Sequence, residues 1–275
     1  MSASSPGQGR LLICPTPLGN PGDITLRALD ALRRADLVAC EDTRRTGALL
    51  AAHDIDARLA VLNEHTERAR AGEIAQRVAA GELVVLASDA GTPLLSDPGF
   101  TVVRACRDAG QPVEVLPGAS AVTTALVASG LPCERFRFVG FLERSAGRLI
   151  EQLDADETTV AFESPRRLAA TLAAIARADP GREVAVCREL TKVHEEVRRG
   201  AAVELAAHYD ASPARGEVTL VVAPRARRSF DVERAGEALE RLIDAGARPR
   251  AAAQALARLT GLRAKDLYDR RAGGE

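Results

Sequence analysis

Between residues 10 and 130 short apolar runs alternate with amphipathic stretches. Residues 10–14, 36–40, 59–62, 83–87 and 113–116 are brief, mostly apolar and bounded by turn formers, the pattern of buried strands. Between them the spacing predicts helices over 24–34, to about 53, over 67–80 and over 100–108, and a helix rich in Ala, Val and Thr after Ser120. Asp23 is placed to cap the first of these, with Ile24, Leu26, Leu29 and Leu32 as its apolar positions. Gly99 opens the helix over 100–108, whose inner face carries Val102, Val103 and Cys106. Strict alternation of strand and helix predicts a parallel α/β domain.

The pattern changes at Gly130-Leu131-Pro132. Strands are expected over 136–142, 158–162, 184–187, 195–198 and 218–222, with helices over 146–153 and 165–178. Fewer crossover helices, and the alternation in Glu195-Glu196-Val197-Arg198, predict a mixed or partly antiparallel sheet. Pro224-Arg225-Ala226-Arg227-Arg228 then reads as a basic linker. Beyond it, helices over 232–245 (Ala235, Leu239 and Leu242 on one face), 250–259 and 264–270, with Gly261 between the last two, suggest a small helical module. The expected organisation is a disordered tail over 1–9, α/β domains over 10–130 and 131–223, and a helical extension over 224–275.

Composition narrows the functional classes. Apolar residues make up 46% and charged residues 27%, with a net charge of −1, so no overall charge draws the chain to nucleic acid or an anionic membrane. Residues 225–275 carry twelve Lys/Arg against eight Asp/Glu, or +4, leaving −5 on the rest, a mild asymmetry that RNA contact or a solvated helical face explains. At 3% aromatics, stacking of bases on aromatic platforms is not expected. Cys14, Cys40, Cys106, Cys133 and Cys187 have no C-x-x-C spacing and read as free thiols in a reducing cytoplasm. His53, His65, His194 and His208 are scattered, so no metal is expected. A P-loop, a dinucleotide glycine fingerprint and a G-x-S-x-G elbow are all missing from the sequence.

Candidate chemistry concentrates in Ser88-Asp89-Ala90-Gly91-Thr92-Pro93-Leu94-Leu95-Ser96-Asp97-Pro98-Gly99, a stiff polar loop at the carboxyl end of a buried strand, where open α/β sheets bind ligands. Its hydroxyls, backbone groups and carboxylates, with those of the neighbouring loops, suit a nucleoside-like ligand bearing hydroxyls and a positive charge. Residue types alone take the reading no further.

Longer motifs do. Leu11-Leu12-Ile13-Cys14-Pro15-Thr16-Pro17-Leu18-Gly19-Asn20, Cys40-Glu41-Asp42-Thr43-Arg44, the 88–99 loop, Leu116-Pro117-Gly118-Ala119-Ser120-Ala121, Gly140-Phe141-Leu142, Glu163-Ser164-Pro165-Arg166-Arg167-Leu168, Arg188-Glu189-Leu190-Thr191-Lys192 and Gly216-Glu217-Val218-Thr219 follow in one order. Together they resemble the ribosomal RNA small subunit methyltransferase I family. Departures are small: Ala119 and Glu143 stand where that family commonly has Pro, and Phe162 where it commonly has Tyr.

The resemblance implies a two-domain tetrapyrrole-methylase-like α/β fold with S-adenosylmethionine in the cleft. It also implies a homodimer, and methylation of a cytidine ribose 2′-hydroxyl in the decoding region of 16S rRNA in the small ribosomal subunit. DNA and membranes are not expected partners. Carried over residue by residue, Asp89, Ala90, Gly91, Thr92, Gly118, Ala119 and Ser120 contact the cofactor, and Pro17, Leu18 and Gly19 border its methyl-donating end. A ribose hydroxyl is a poor nucleophile, so a carboxylate base would help. The candidates are Glu41, Asp42, Glu163 and Glu189, with Glu189 and Lys192 as the favoured pair. Arg44, Arg45, Arg166, Arg167 and Arg188 are candidate phosphate contacts. A tetrapyrrole carbon methyltransferase, which would want a larger apolar cleft and no basic tail, and a non-catalytic RNA-binding assembly factor are the competing readings.

Overall fold

The computed structural model describes residues 9–225 and 232–267, without the side chains of 232–234. The chain divides into two compact units, Met1–Pro224 and Arg225–Glu275. Residues 1–8 of the expected tail, the linker residues Ala226–Arg228 and the end of the last expected helix lie outside the described residues. Gly9 is buried, packed against the turn before Leu83.

In the larger unit the chain first forms β1 (Arg10–Cys14), α1 (Leu26–Arg34), β2 (Leu37–Cys40), α2 (Thr43–Ala51), β3 (Leu59–Val61), α3 (Glu67–Ala79), β4 (Leu83–Ala87), α4 (Phe100–Asp108), β5 (Val113–Val115) and α5 (Ala121–Ser129). The five strands make a parallel sheet in the order β3-β2-β4-β1-β5. Leu12, Cys14, Val38 and Val85 pack against α1 and α2 on one face, while Leu11, Ile13, Val84 and Leu86 pack against α3 and α4 on the other. Burial on both faces is why these strands read as continuous apolar runs. Each fully buried Leu or Val contributes about 1.5–3 kcal/mol relative to exposure.

The strand order decides where a ligand can sit. α1 carries the chain from β1 across β4 to β2, and α4 carries it from β4 across β1 to β5, over the opposite face. The loops after β1 and β4 therefore part company at their carboxyl ends, the topological switch point of an open α/β sheet.

The second sheet is built from β6 (Phe136–Phe141), β7 (Thr158–Glu163), β8 (Glu183–Arg188), β9 (Glu196–Ala201) and β10 (Val218–Val222), in the order β6-β7-β10-β8-β9. Only β6 and β7 are parallel; the other pairs are antiparallel, the mixed sheet the alternation predicts. β9 is a polar edge strand, which blunts edge-to-edge pairing. One face packs against α6 (Ala146–Leu153), α7 (Leu168–Ala178) and α8 (Ala202–Ala211). The other takes α5, with Val122, Ala125 and Leu126 against Val160, Ala185, Cys187 and Val221, and Leu18 from the β1 loop joins that cluster.

Three local expectations are corrected. The cap of α1 is Thr25, whose hydroxyl accepts the Ala28 N–H at 3.1 Å; Asp23 ends a short 3₁₀ turn, Pro21–Asp23. With the start moved, Ala28, Ala31 and Leu32 face inward and Leu26 is 85% exposed. α7 starts at Leu168, because Ser164-Pro165-Arg166-Arg167 forms a turn whose Ser164 carbonyl accepts the Arg167 and Leu168 N–H groups. α8 has no expected counterpart: it is alanine-rich and opens on Ala201, without a capping side chain to announce it.

The smaller unit holds α9 (Val232–Asp244) and α10 (Pro249–Thr260), closed by Gly261 in the left-handed conformation. Ala235, Leu239, Ala252, Ala253 and Leu267 form its core. Among the described residues no helix is long and apolar enough to cross a membrane.

Candidate functional site

Three loops from the first sheet are stitched together at the switch point. Thr16 and Gly91 exchange backbone hydrogen bonds at 2.9 Å each, which ties the β1 loop to the β4 loop. Thr16 Oγ1 donates to the Ser88 carbonyl at 3.0 Å, and Ser88 Oγ donates to the Gly91 carbonyl at 2.7 Å. Thr92 Oγ1 donates to the Ala119 carbonyl at 3.0 Å, adding the β5 loop. Gly91 has φ +80°, and a Cβ there would lie 3.1 Å from Leu18 Cδ2, so both conformation and space favour glycine. Gly118 is needed for a different reason: a Cβ would press on the Pro15 ring at 2.7 Å.

These loops face the second sheet across a cavity of 420 Å³, within the about 300–1,000 Å³ typical of small-ligand sites. Of the residues carried over as cofactor contacts, Leu18, Asp89, Ala90, Gly91, Thr92 and Ser120 line it. Pro17, Gly19, Gly118 and Ala119 do not; they shape the loops behind it. The second sheet contributes the ends of β7 and β8 and the start of β10, including Phe162, Glu163, Cys187, Glu217 and Thr219.

The lining is acidic. Glu41, Asp89, Asp97, Glu163 and Glu217 all border the cavity, and Arg45 is the cation in the lining, 3.3 Å from Asp89. Asp89 also accepts the Asp42 N–H at 3.0 Å. Burial raises the Glu41 carboxyl, with Asp89 adding to the effect. Burial also raises Asp97, to about 6, reinforced by Glu41, Asp89 and Glu217. Cys187 is a neutral thiol: burial pushes it up to about 12.

The other expected site carboxylates have fixed partners. Glu163 is buried and accepts from Ser164 N–H at 2.7 Å and from Thr171 Oγ1 at 2.5 Å, with Arg167 at 3.3 Å. Asp42 lies outside the lining; it caps α2 by accepting the Arg44 N–H at 2.8 Å, and its hydrogen bonds with Arg44 draw it down to about 2. Glu189 and Lys192 are brought together at 2.8 Å, but neither lines the cavity. Glu189 also accepts the Glu217 N–H at 2.9 Å, and Lys192 also pairs with Glu217 at 3.0 Å. Burial works to raise Glu189, yet the Lys192 hydrogen bond and the Glu217 N–H outweigh it, and the net shift is downward. For Lys192 burial works downward, and Glu189 and Glu217 reverse it.

This cluster clasps the β1 loop. The Lys192 stem lies over Gly19, where any Cβ would overlap it, and Thr191 Oγ1 accepts the Asn20 N–H at 3.1 Å. Glu189 and Thr191 hold left-handed φ values of +51° and +66°, strain found where structure is over-determined. Of the expected phosphate contacts, only Arg45 reaches the cavity. Arg44 pairs with Asp42, Arg167 donates to the Leu142 and Glu143 carbonyls, Arg188 pairs with Glu196, and Arg166 is exposed.

Two cavity residues lie inside quoted motifs without being singled out there as site residues. Asp97 belongs to a quoted loop, but nothing in its residue type sets it apart from Asp89. Phe141, 58% exposed, borders the cavity with its ring edge-to-face on Phe162 at 5.7 Å. Low aromatic content thus said nothing of where the few rings lie.

Comparison with known proteins follows the same lines. The family described as Tetrapyrrole (Corrin/Porphyrin) Methylases matches residues 10–206. Ribosomal RNA small subunit methyltransferase I of Mycobacterium tuberculosis (strain ATCC 25618 / H37Rv) is 46% identical over 272 residues, covering 95% of this chain and 94% of that protein. The protein of that name from Micromonospora olivasterospora is 42% identical over 274 residues, covering 97% and 88%. Among solved structures, uroporphyrin-III C-methyl transferase from Thermus thermophilus, complexed with S-adenyl homocysteine, superposes with a TM-score of 0.57 at 21% identity, covering 78% of this chain and 97% of that one. At that identity the likeness shows the fold alone.

Proposed function

The chain belongs to the ribosomal RNA small subunit methyltransferase I family, and on that premise we propose that it methylates the ribose 2′-hydroxyl of a cytidine in the decoding region of 16S rRNA (the cytidine 1402 class), with S-adenosylmethionine as donor. The observation that carries the reading is the carboxylate-rich cavity at the β1/β4 switch point.

Its residues fit the donor. A molecule with a sulfonium, an ammonium group, ribose hydroxyls and a planar base needs anionic acceptors, backbone groups and apolar walls. Glu41, Asp89 and Glu217 supply the first, Ala90, Gly91, Thr92 and Ser120 the second, and Leu18, Val122, Phe141, Phe162 and Leu190 the third. When bound, the donor supplies an electrophilic methyl group. The Ala119 carbonyl holds the β5 loop to Thr92, Gly118 packs on Pro15, and Leu18, backed by Pro17 and Gly19, is the β1-loop residue at the cavity.

Glu189 and Lys192 act as positioning residues: their ion pair clamps Gly19 and so fixes the β1 loop against the second sheet. Fixed geometry is worth much of the rate in a reaction that needs in-line attack. Glu163, Asp42 and Arg167 orient the loops that carry them. Arg44, Arg45, Arg166 and Arg188, on or beside the motif loops, contact the phosphates of an RNA whose ribose enters the cavity. The enzyme works as a homodimer on the small ribosomal subunit in the cytoplasm. The tetrapyrrole alternative is weaker, because the likeness to a tetrapyrrole enzyme stands at 21% identity against 42–46% for rRNA methyltransferases.

The test is transfer of a tritiated methyl from S-adenosylmethionine to small subunits lacking the modification, followed by mapping. Label on one cytidine ribose, resistant to alkaline cleavage at that linkage, is expected. Label on a base, or none on rRNA, would refute the reading.

A further inference from the structure

Of the acids around the cavity, two are held by no hydrogen bond or ion pair among the described residues: Glu41, which Arg45 acts to lower, and Asp97 at the far end of the β4 loop, which has no cation acting on it. Asp89 is held by Arg45 and the Asp42 N–H, Glu163 by three donors, Glu189 by Lys192 and the Glu217 N–H, and Glu217 by Lys192. Among the described residues no hydrogen-bond or ion-pair partner is recorded for Asp97, which lines the cavity between Ser96, at φ +69°, and Pro98. A left-handed serine before Asp97 and a proline after it constrain the backbone on both sides.

We propose that Asp97 is the general base of the transfer, taking the proton from the acceptor hydroxyl. This rests on the reading of the cavity as a site of ribose methylation. In the step the acceptor O–H bond breaks and its proton passes to an Asp97 carboxylate oxygen. An O–C bond forms to the donor methyl carbon. The C–S bond breaks, and its electron pair goes to sulfur, which becomes a neutral thioether. Asp97 then releases the proton to solvent.

The charges around the site favour that role over any neighbour. The groups that face the cavity are Glu41 after β2, Arg45 on α2, Asp89 after β4, Glu163 at the end of β7 and Glu217 before β10. Arg45 is spent on Asp89, so Asp97 feels mainly burial and like charges, and its carboxyl rises to about 6. That makes it roughly a hundredfold more basic than an ordinary aspartate, while still mostly ionised at neutral pH. A carboxylate held by Lys or Arg, such as Glu189, is instead a weaker proton acceptor than usual.

Single-turnover rates at saturating donor and RNA, from pH 5 to 9, test this on the full chain. The wild-type rate is expected to rise with pH and level off above an inflection near 6. Asp97→Asn should be slower by about 10²–10⁴-fold and show no inflection, with S-adenosylhomocysteine and RNA affinities within about threefold of wild type. Asp97→Glu should recover part of the rate. Independently of turnover, carbon-detected NMR of the free protein should titrate one carboxyl near 6 that vanishes in Asp97→Asn. An Asn variant with a wild-type rate and inflection, or one that loses donor affinity in step with rate, would overturn the assignment. Should Asp97→Asn fail to fold, Glu41→Gln removes a facing charge and must lower the inflection; an unmoved inflection also overturns it. Mapping the methyl separates the two proposals, since label on a base sinks ribose methylation itself, whereas ribose label with Asp97 dispensable sinks only the base.

Discussion

At single positions the site trades stability for chemistry. Asp97 has a folded-state pKa near 6, above its ordinary 3.8, so its contribution is fully present below pH 3.8 and is lost as pH rises through 6. Asp97→Asn should therefore raise the melting temperature at pH 7.5, with the gain over wild type shrinking toward pH 4; calorimetry at the two pH values checks the sign. Gly216 is constrained by conformation and space instead. It sits at φ +82°, and a Cβ there would overlap the Glu189 carboxyl group. Gly216→Ala should cost about 1–2 kcal/mol for the backbone alone and should open the Glu189–Lys192 clasp, read as a lower denaturant midpoint together with weaker donor binding. Neither effect is visible in the residue's own type: an aspartate in a Gly/Pro-rich loop and a glycine before a strand are common, and their neighbours come from distant parts of the chain.

At the scale of elements, periodicity located nearly every strand and helix, and its errors fall at element ends and on α8. The start of α1 is the sharpest case. Asp23 and Thr25 are both good capping types, and only the path of the Asn20–Asp23 turn, where Asn20 Oδ1 accepts the Gly22 N–H at 3.0 Å, selects the second. Thr25→Ala should destabilise the protein by about 1 kcal/mol, whereas Asp23→Ala should change it by less than about 0.5 kcal/mol; urea melts of the two variants decide. α8 went unpredicted because alanine serves on its buried and exposed faces alike, so hydrophobic contrast is weak even though Ala202, Leu205 and Tyr209 recur at helical spacing. For α5, chain order follows the first sheet, yet its apolar surface covers the second.

For the molecule as a whole, all residues lining the cavity fall between Leu18 and Thr219, inside the unit Met1–Pro224. A chain ended at Pro224 should keep S-adenosylhomocysteine affinity within about twofold by calorimetry. RNA binding by the full chain should fall steeply between 50 and 200 mM salt, because arginine contacts to phosphate release counterions; filter binding across that range measures the slope, and a flat response would argue against phosphate recognition.

The sequence by itself determined the alternation that makes an α/β protein, the mixed character of the second sheet, the helical tail and the loops that carry the chemistry, because these depend on local periodicity and on turn residues read in place. The ordered motifs also identified the family. Only the tertiary structure decided which acids face one another: Glu41, the Asp89–Asp97 loop and Glu217 lie far apart in sequence and meet because β2 and β4 are neighbours in the first sheet and the start of β10 in the second sheet borders the same cavity. A carboxylate's basicity depends on its solvation and on the charges around it, and both are properties of that meeting.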